Sequence, residues 1–168
     1  LPSVFFQNTD DAQQFCQAGI VRESQVTLVP GSGIDLQHFY PSPLTREGAT
    51  TTFLMIARLL KDKGVVEFAE AAVMIRASGA NARFVLVGPL DAENRTAVSK
   101  GVVDGWVEDG TLTYAGSCDD VRPYIESAHC VVLPSYREGA PRTLIEASAM
   151  ARPVIATRVP GCTAVVSE

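Results

Sequence analysis

The chain has no paired cysteines. Cys16, Cys118, Cys130 and Cys162 are widely scattered and form no C-x-x-C motif. With only two histidines, His38 and His129, a zinc site has little to draw on. The expectation is no metal, four reduced and mostly buried thiols, and a His129 that packs or hydrogen-bonds at the head of an apolar strand. Basic charge is also short. Fourteen Lys+Arg face 19 Asp+Glu, a net charge of −5, which argues against broad nonspecific nucleic-acid binding. Long apolar runs are missing too: stretches such as Phe53–Ala57 and Cys130–Leu133 are far too short to span a bilayer. No charged-then-apolar leader opens the sequence. The chain therefore reads as soluble and cytoplasmic, and no repeat or low-complexity tract interrupts it.

What is present is an ordinary globular composition. Apolar residues make up 46% and charged residues 20% of 168 positions, enough for one domain and little more. Short apolar segments without clean alternation occur at Ser3–Phe6, Val26–Val29, Thr52–Ile56, Arg83–Val87, Leu112–Tyr114, Cys130–Leu133 and Val154–Ala156. Parallel strands covered on both faces read this way. Helical patterns fall between them. Val65–Ser78 carries Val65, Phe68, Ala69, Ala72, Val73 and Ile75 largely on one stripe, closed by Gly79. Asp91–Val103 is weaker and more polar. Asp119–Ser127 opens on an Asp pair suited to an N-cap, and Ala140–Met150 has Pro141 where a missing N–H costs nothing. Alternating strands and helices with short links predict an α/β fold with a Rossmann-like, doubly wound parallel sheet. Thr45–Thr51 is the one polar stretch that suits a hinge.

Such sheets bind ligands beyond the carboxyl ends of their strands, so the loops there carry the functional argument. After Val29 runs P-G-S-G-I-D, where Gly31 and Gly33 allow a sharp turn and a close ligand approach. A plain strand-end turn fits equally, and no third glycine completes a dinucleotide fingerprint. After Ile56 runs A-R-L-L-K-D-K-G. Arg58 as a planar fork and Lys63 as a point charge suit a diphosphate, although Lys61, Asp62 and Lys63 also suit a self-paired solvated loop. After Leu133 runs P-S-Y-R-E-G-A-P-R-T-L-I-E. Gly139, Ala140 and Pro141 form a helix N-terminus, a candidate phosphate seat. Glu138 before it and Glu146 within the helix suit sugar and ribose hydroxyls. Either Glu alone fits a surface position; both flanking an anion seat fit it poorly.

In order, P-G-S-G-I-D, R-L-L-K-D-K-G, A-H-C-V-V-L-P-S-Y and E-G-A-P-R-T-L-I-E resemble the nucleotide-binding half of family-4 retaining glycosyltransferases, enzymes of the GT-B fold. The resemblance runs from Val4 to Glu168. F-F-Q-N-T-D-D near the start and R-P-V-I-A-T-R-V-P-G-C near the end are similar to the bacterial branch that extends surface polysaccharides and lipid-linked glycans. It implies transfer from a nucleotide-diphosphate sugar, uridine-linked, with retention and with neither metal nor cofactor. Arg58 and Lys63 would hold the diphosphate and stabilise the leaving group. Glu138 would contact the transferred sugar and complete the catalytic set with them, and Glu146 would hold the ribose. Backbone amides of Gly139, Ala140 and Arg142, around Pro141, would seat phosphate. Gly31 and Gly33 would line the donor site, with Gly88 and the loop of Ser117, Cys118 and Val121 near base and ribose.

The resemblance also implies what this stretch does not hold. Residues 1–45 would lead in from an acceptor-binding domain that is absent, as are the final C-terminal helices. That domain would supply the catalytic histidine, the glycan or lipid-linked acceptor site and any membrane contact, and a fragment without it would bind donor yet transfer little. Thr163 and Ala164 stand where many relatives carry an acidic residue. Other readings are a nucleotide-sugar epimerase or phosphorylase of similar architecture, or a non-catalytic nucleotide-binding or receiver-like module. Phosphorylases need a pyridoxal lysine motif that is not found. Epimerases depend on other loop acids and histidines, and a receiver needs an acidic cluster where Arg58 stands.

Overall fold

A computed structural model describes residues 3–44 and 50–166. The element order is β1 (Val4–Phe6), α1 (Thr9–Gln17), β2 (Val26–Leu28), β3 (Thr51–Ile56), α2 (Val65–Ala77), β4 (Ala82–Val87), α3 (Lys100–Glu108), β5 (Thr113–Tyr114), α4 (Arg122–Ser127), β6 (Cys130–Leu133), α5 (Arg142–Ala149), β7 (Val154–Ala156) and α6 (Pro160–Thr163). Each strand foreseen in the sequence is present to within a residue or two. The stretch Thr45–Thr51, read as a hinge, lies at 45–49 outside the described residues.

Five strands form one parallel sheet in the order β5-β4-β3-β6-β7. From β3 the chain moves outward through β4 to β5, then returns to the other side of β3 for β6 and β7. The winding reverses between β3 and β6, so the crevice beyond their carboxyl ends is the sheet's switch point. Apolar layers cover both faces. Met55, Leu59, Phe68, Phe84 and Leu86 anchor one, and Leu54, Val85, Ile125, Val131 and Met150 the other. β1 and β2 stand apart as a parallel pair, with Val4 against Val26 and Phe6 against Leu28, joined through α1.

Three helical expectations are corrected, and two helices, α1 and α6, are additional. α1 was not foreseen, although Asn8 caps it by accepting from Asp11 N–H at 2.8 Å. The helix expected over Asp91–Val103 begins only at Lys100, after the cap Ser99. Upstream, Asn94 Oδ1 takes the Thr96 N–H at 3.0 Å and Val98 N–H binds Leu59 O at 2.8 Å. These side-chain and tertiary bonds outcompete a helical first turn. In α2, Val65, Phe68, Ala69 and Ala72 are buried as expected, but Val73 is exposed. α4 starts at Arg122 with Val121 as its cap residue, although Asp120 of the expected Asp pair still accepts the Arg122 N–H at 3.0 Å.

Arg152 ties the segment before β3 to the sheet. It is 3% exposed; its guanidinium donates to Ser42 O and Ser42 Oγ at 2.8 Å and to Ile125 O at 3.0 Å. Burial lowers its pKa, opposed by the charge of Glu126. His129 accepts the Thr52 N–H through Nδ1 at 3.1 Å, the hydrogen-bonding role expected of it. All four cysteines are free, with Cys130 and Cys162 buried and Cys16 and Cys118 half-buried.

Candidate functional site

The loops at the switch point converge. Lys63 closes a short 3-10 turn after β3, and Glu138 lies in the loop after β6. Their side chains meet, Nζ to Oε1 at 2.7 Å, and the same carboxylate oxygen accepts Ser135 Oγ at 2.6 Å. Gly161 explains the tightness around them: a Cβ there would lie 2.2 Å from the Glu138 carbonyl oxygen. Only a glycine lets α6 close against this loop.

α5 rises directly beyond β3. Thr143 Oγ1, in its first turn, donates to Ile56 O at 3.1 Å, so the helix N-terminus sits over the strand end. Pro141 is the cap here rather than the first helical residue. Its ψ of 111° is extended, and its carbonyl accepts Leu144 N–H at 3.1 Å. The amides of Arg142 and Thr143 have no helical carbonyl ahead of them and lie at the positive end of the dipole. Glu146, one turn in, is buried; Arg142 Nε donates to its Oε1 at 2.8 Å. Burial raises its pKa, and the charge and hydrogen bond of Arg142 pull the other way.

The segment ahead of β3 also reaches this place. Asn8 Nδ2 donates to Gly139 O at 3.0 Å, and Arg137 pairs with Asp11 at 2.7 Å. Gly31 approaches α5 so closely that a Cβ would come within 3.2 Å of the Ala140 methyl; Gly33 faces open space. Both hold positive φ, 77° and 69°.

On the other side of β3, Arg58 extends from the strand end and pairs with Asp91 at 3.2 Å, both substantially exposed. At Gly88, beyond β4, a Cβ would collide with Ala57 O at 1.8 Å, which requires glycine. Its N–H donates to Gly116 O at 2.8 Å and its carbonyl accepts Tyr114 Oη at 2.8 Å, bringing the loop after β5 alongside. Within that loop Ser117 is exposed. Cys118 and Val121 turn inward onto the apolar layer of Leu54 and Val85, and burial raises the Cys118 thiol pKa, followed by the charges of Asp120 and Asp119.

The structure thus gathers Lys63, Glu138, Gly139, Ala140, Pro141, Arg142 and Glu146 around the β3–β6 crevice, with Gly31 touching its edge. Arg58, Gly88 and Ser117 form a more open side. Sequence reasoning passed over Ser135, Thr143, Asn8 and Asp91. Asn8 had a signal in N-T-D-D, an amide followed three residues later by an acid. Ser135 had one in S-Y-R-E, a hydroxyl three residues ahead of the acid it bonds; Thr143 and Asp91 bond across the fold and leave no local trace. Among the described residues no group of three or more His, Cys, Asp or Glu side chains could hold a metal ion, and no helix is long and apolar enough to cross a membrane.

A doubly wound parallel sheet with cations, a helix N-terminus and carboxylates gathered at its switch point defines an α/β domain of the Rossmann-like kind. Residues 50–168 match the family described as glycosyl transferases group 1, and the chain belongs to that family. A Campylobacter jejuni N,N'-diacetylbacillosaminyl-diphospho-undecaprenol alpha-1,3-N-acetylgalactosaminyltransferase is 31% identical over 97% of this chain and 44% of its own length. The Bacillus subtilis teichuronic acid biosynthesis glycosyltransferase TuaC is 38% identical over 63% of this chain and 24% of its own. Anabaena HepE, solved with UDP and glucose, superposes with a TM-score of 0.82 over 99% of this chain and 47% of that one, at 19% identity. That likeness is one of fold, and the fold is of the GT-B kind. The chain spans less than half the length of these relatives.

Proposed function

We infer that this chain binds the donor for a retaining, metal-independent glycosyltransferase that moves a sugar from a UDP-sugar to a growing surface polysaccharide or lipid-linked glycan. The observation that carries this is the meeting of the Lys63–Glu138 pair, the α5 N-terminus and the buried Glu146 at the β3–β6 switch point. The named activities of the Campylobacter and Bacillus relatives, and the UDP held by HepE, support the donor and acceptor classes.

In this reading the donor's diphosphate lies between the α5 amides and the cations. Breaking the sugar–phosphate bond leaves negative charge on the diphosphate, and Lys63, Arg58 and the helix end stand where that charge grows. Lys63 has three N–H donors and spends one on Glu138, which leaves two to turn toward phosphate when a donor is bound. Glu138 takes a hydroxyl of the transferred sugar and Glu146 takes the ribose. Gly88 and Ser117 border the base and ribose. The acceptor and the remaining catalytic groups come from chain beyond these 168 residues, consistent with the share of each relative covered. A lipid-linked acceptor brings the enzyme to the cytoplasmic membrane face as a peripheral protein.

Calorimetry of the chain with UDP, UDP-glucose and UDP-N-acetylgalactosamine tests the reading. The expected result is UDP binding that weakens about tenfold in Glu146→Ala, the loss of one hydrogen bond to a charged group. It fails if none of the three binds, or if Glu146→Ala and Arg58→Ala both match the parent.

A further inference from the structure

Ser135 has no exposed surface at all, yet it is polar and lies beneath the mouth of the crevice. Its hydroxyl has one proton and two acceptors in range: Glu138 Oε1 at 2.6 Å and Lys63 O at 3.4 Å. The carboxylate wins, because charge-assisted bonds are shorter and stronger than bonds to a neutral carbonyl. The serine is itself held, since its carbonyl accepts the hydroxyl of Thr157 just past β7. Glu138 Oε1 therefore carries two donors, Ser135 Oγ and Lys63 Nζ, and Oε2 is the oxygen that neither donor engages.

We propose that Ser135 is a positioning residue for sugar recognition: it locks the Glu138 carboxylate so that Oε2 is presented to a hydroxyl of the donor's sugar. This rests on the donor-binding reading above. Lys63 cannot do the locking alone. Its ammonium is a flexible point charge, and the same group is drawn toward the diphosphate once a donor is bound. Ser135 is rigid, buried and anchored to β7, so it keeps the carboxylate in place while Lys63 turns. A glutamate ordered before the ligand arrives spares the binding step the loss of its rotamer freedom. Ser135 and Glu138 themselves face the sugar rather than the nucleotide in this reading, so the effect of the serine falls chiefly on the sugar.

The test compares affinities of the chain for UDP, UDP-glucose and UDP-N-acetylgalactosamine. Ser135→Ala leaves UDP within about twofold and weakens the preferred UDP-sugar about tenfold, the scale of one charge-assisted hydrogen bond. Ser135→Cys, a weaker donor of similar shape, gives a smaller loss in the same ratio and covers the case in which the alanine variant does not fold. In a Glu138→Ala background, Ser135→Ala causes no further loss, because the serine acts through that carboxylate. The inference is overturned if UDP and UDP-sugar weaken equally, if neither changes, or if the two losses simply add. A parent chain that binds none of the three nucleotides instead removes the donor-binding reading, and this inference with it.

Discussion

Two cation–carboxylate pairs flank β3, and they differ in kind. Lys63 and Glu138 are 22% and 11% exposed and 2.7 Å apart, with Ser135 as a second donor. Arg58 and Asp91 are 56% and 30% exposed and 3.2 Å apart. The first pair is partly desolvated, so its Coulomb energy is weakly screened and its geometry is fixed from below. The second stands in water, where such pairs contribute only about 0.2–1 kcal/mol. One region is a built wall and the other an adjustable rim. The lesson is that residues of equal standing in a motif need not carry equal work.

Breaking the wall gives the largest effect. Lys63→Met removes the cation that the donor-binding proposal places at the growing charge, and it leaves Glu138 with Ser135 as its remaining donor. Transfer by the intact enzyme should fall about a hundredfold, and the chain should lose about 2 kcal/mol in urea unfolding, the cost of stripping a partner from a poorly solvated charge. A loss no greater than that of Arg58→Ala would erase the distinction between the regions. Arg58→Ala comes second. It should cost about tenfold in transfer, with the difference from parent shrinking as salt is raised, because exposed charges are screened over roughly 8 Å at physiological ionic strength. Stability should hardly change.

The legibility of the two regions differs in the same direction. The parallel sheet was readable because strands buried on both faces show unbroken apolar runs such as Cys-Val-Val-Leu at 130–133. Glu138, Glu146, Arg58 and Lys63 stood out as candidate site residues from residue type and spacing. What supports them did not. Thr143 looks like an ordinary helix residue until the fold brings Ile56 to it, and the burial of Ser135 beside Glu138 depends on Thr157 reaching its carbonyl from beyond β7. Residues 91–98 misled for the converse reason: helix-compatible by composition, they are held as a loop by Thr96, whose hydroxyl reaches Asp62 at 3.1 Å and whose carbonyl takes Lys61 N–H at 2.8 Å. Long-range bonds decide such segments, and a local pattern does not contain them. Arg152 shows the same limit, since its partners at Ser42 and Ile125 are distant in sequence.

A third pair, Arg142 with Glu146, lies between the two regions in character, because the arginine is exposed and the carboxylate buried. Burial lifts the Glu146 pKa above its ordinary value of 4.5. The folded state therefore holds this proton more tightly than the unfolded chain. Stability contributed by the protonated form is complete below the ordinary value and declines as pH rises through the lifted one. Glu146→Gln should flatten that part of the stability-versus-pH curve in thermal melts from acid to neutral pH. A curve identical to the parent's would mean that the carboxylate is as well solvated as one on the rim.

The smallest effect sharpens the rim itself. Asp91 donates nothing to a diphosphate and places a negative charge beside Arg58. If the rim adjusts, Asp91→Asn frees the guanidinium and removes a repulsion, so UDP should bind about twofold tighter at low salt, a change of about 0.4 kcal/mol within the range of exposed pairs. The gain should vanish at high salt, where the screening that already weakens the Arg58–Asp91 pair weakens the repulsion equally. Weaker UDP binding in Asp91→Asn would show the opposite: Asp91 aims Arg58 at the diphosphate, and the exposed side of the site is built as deliberately as the wall around Lys63 and Glu138.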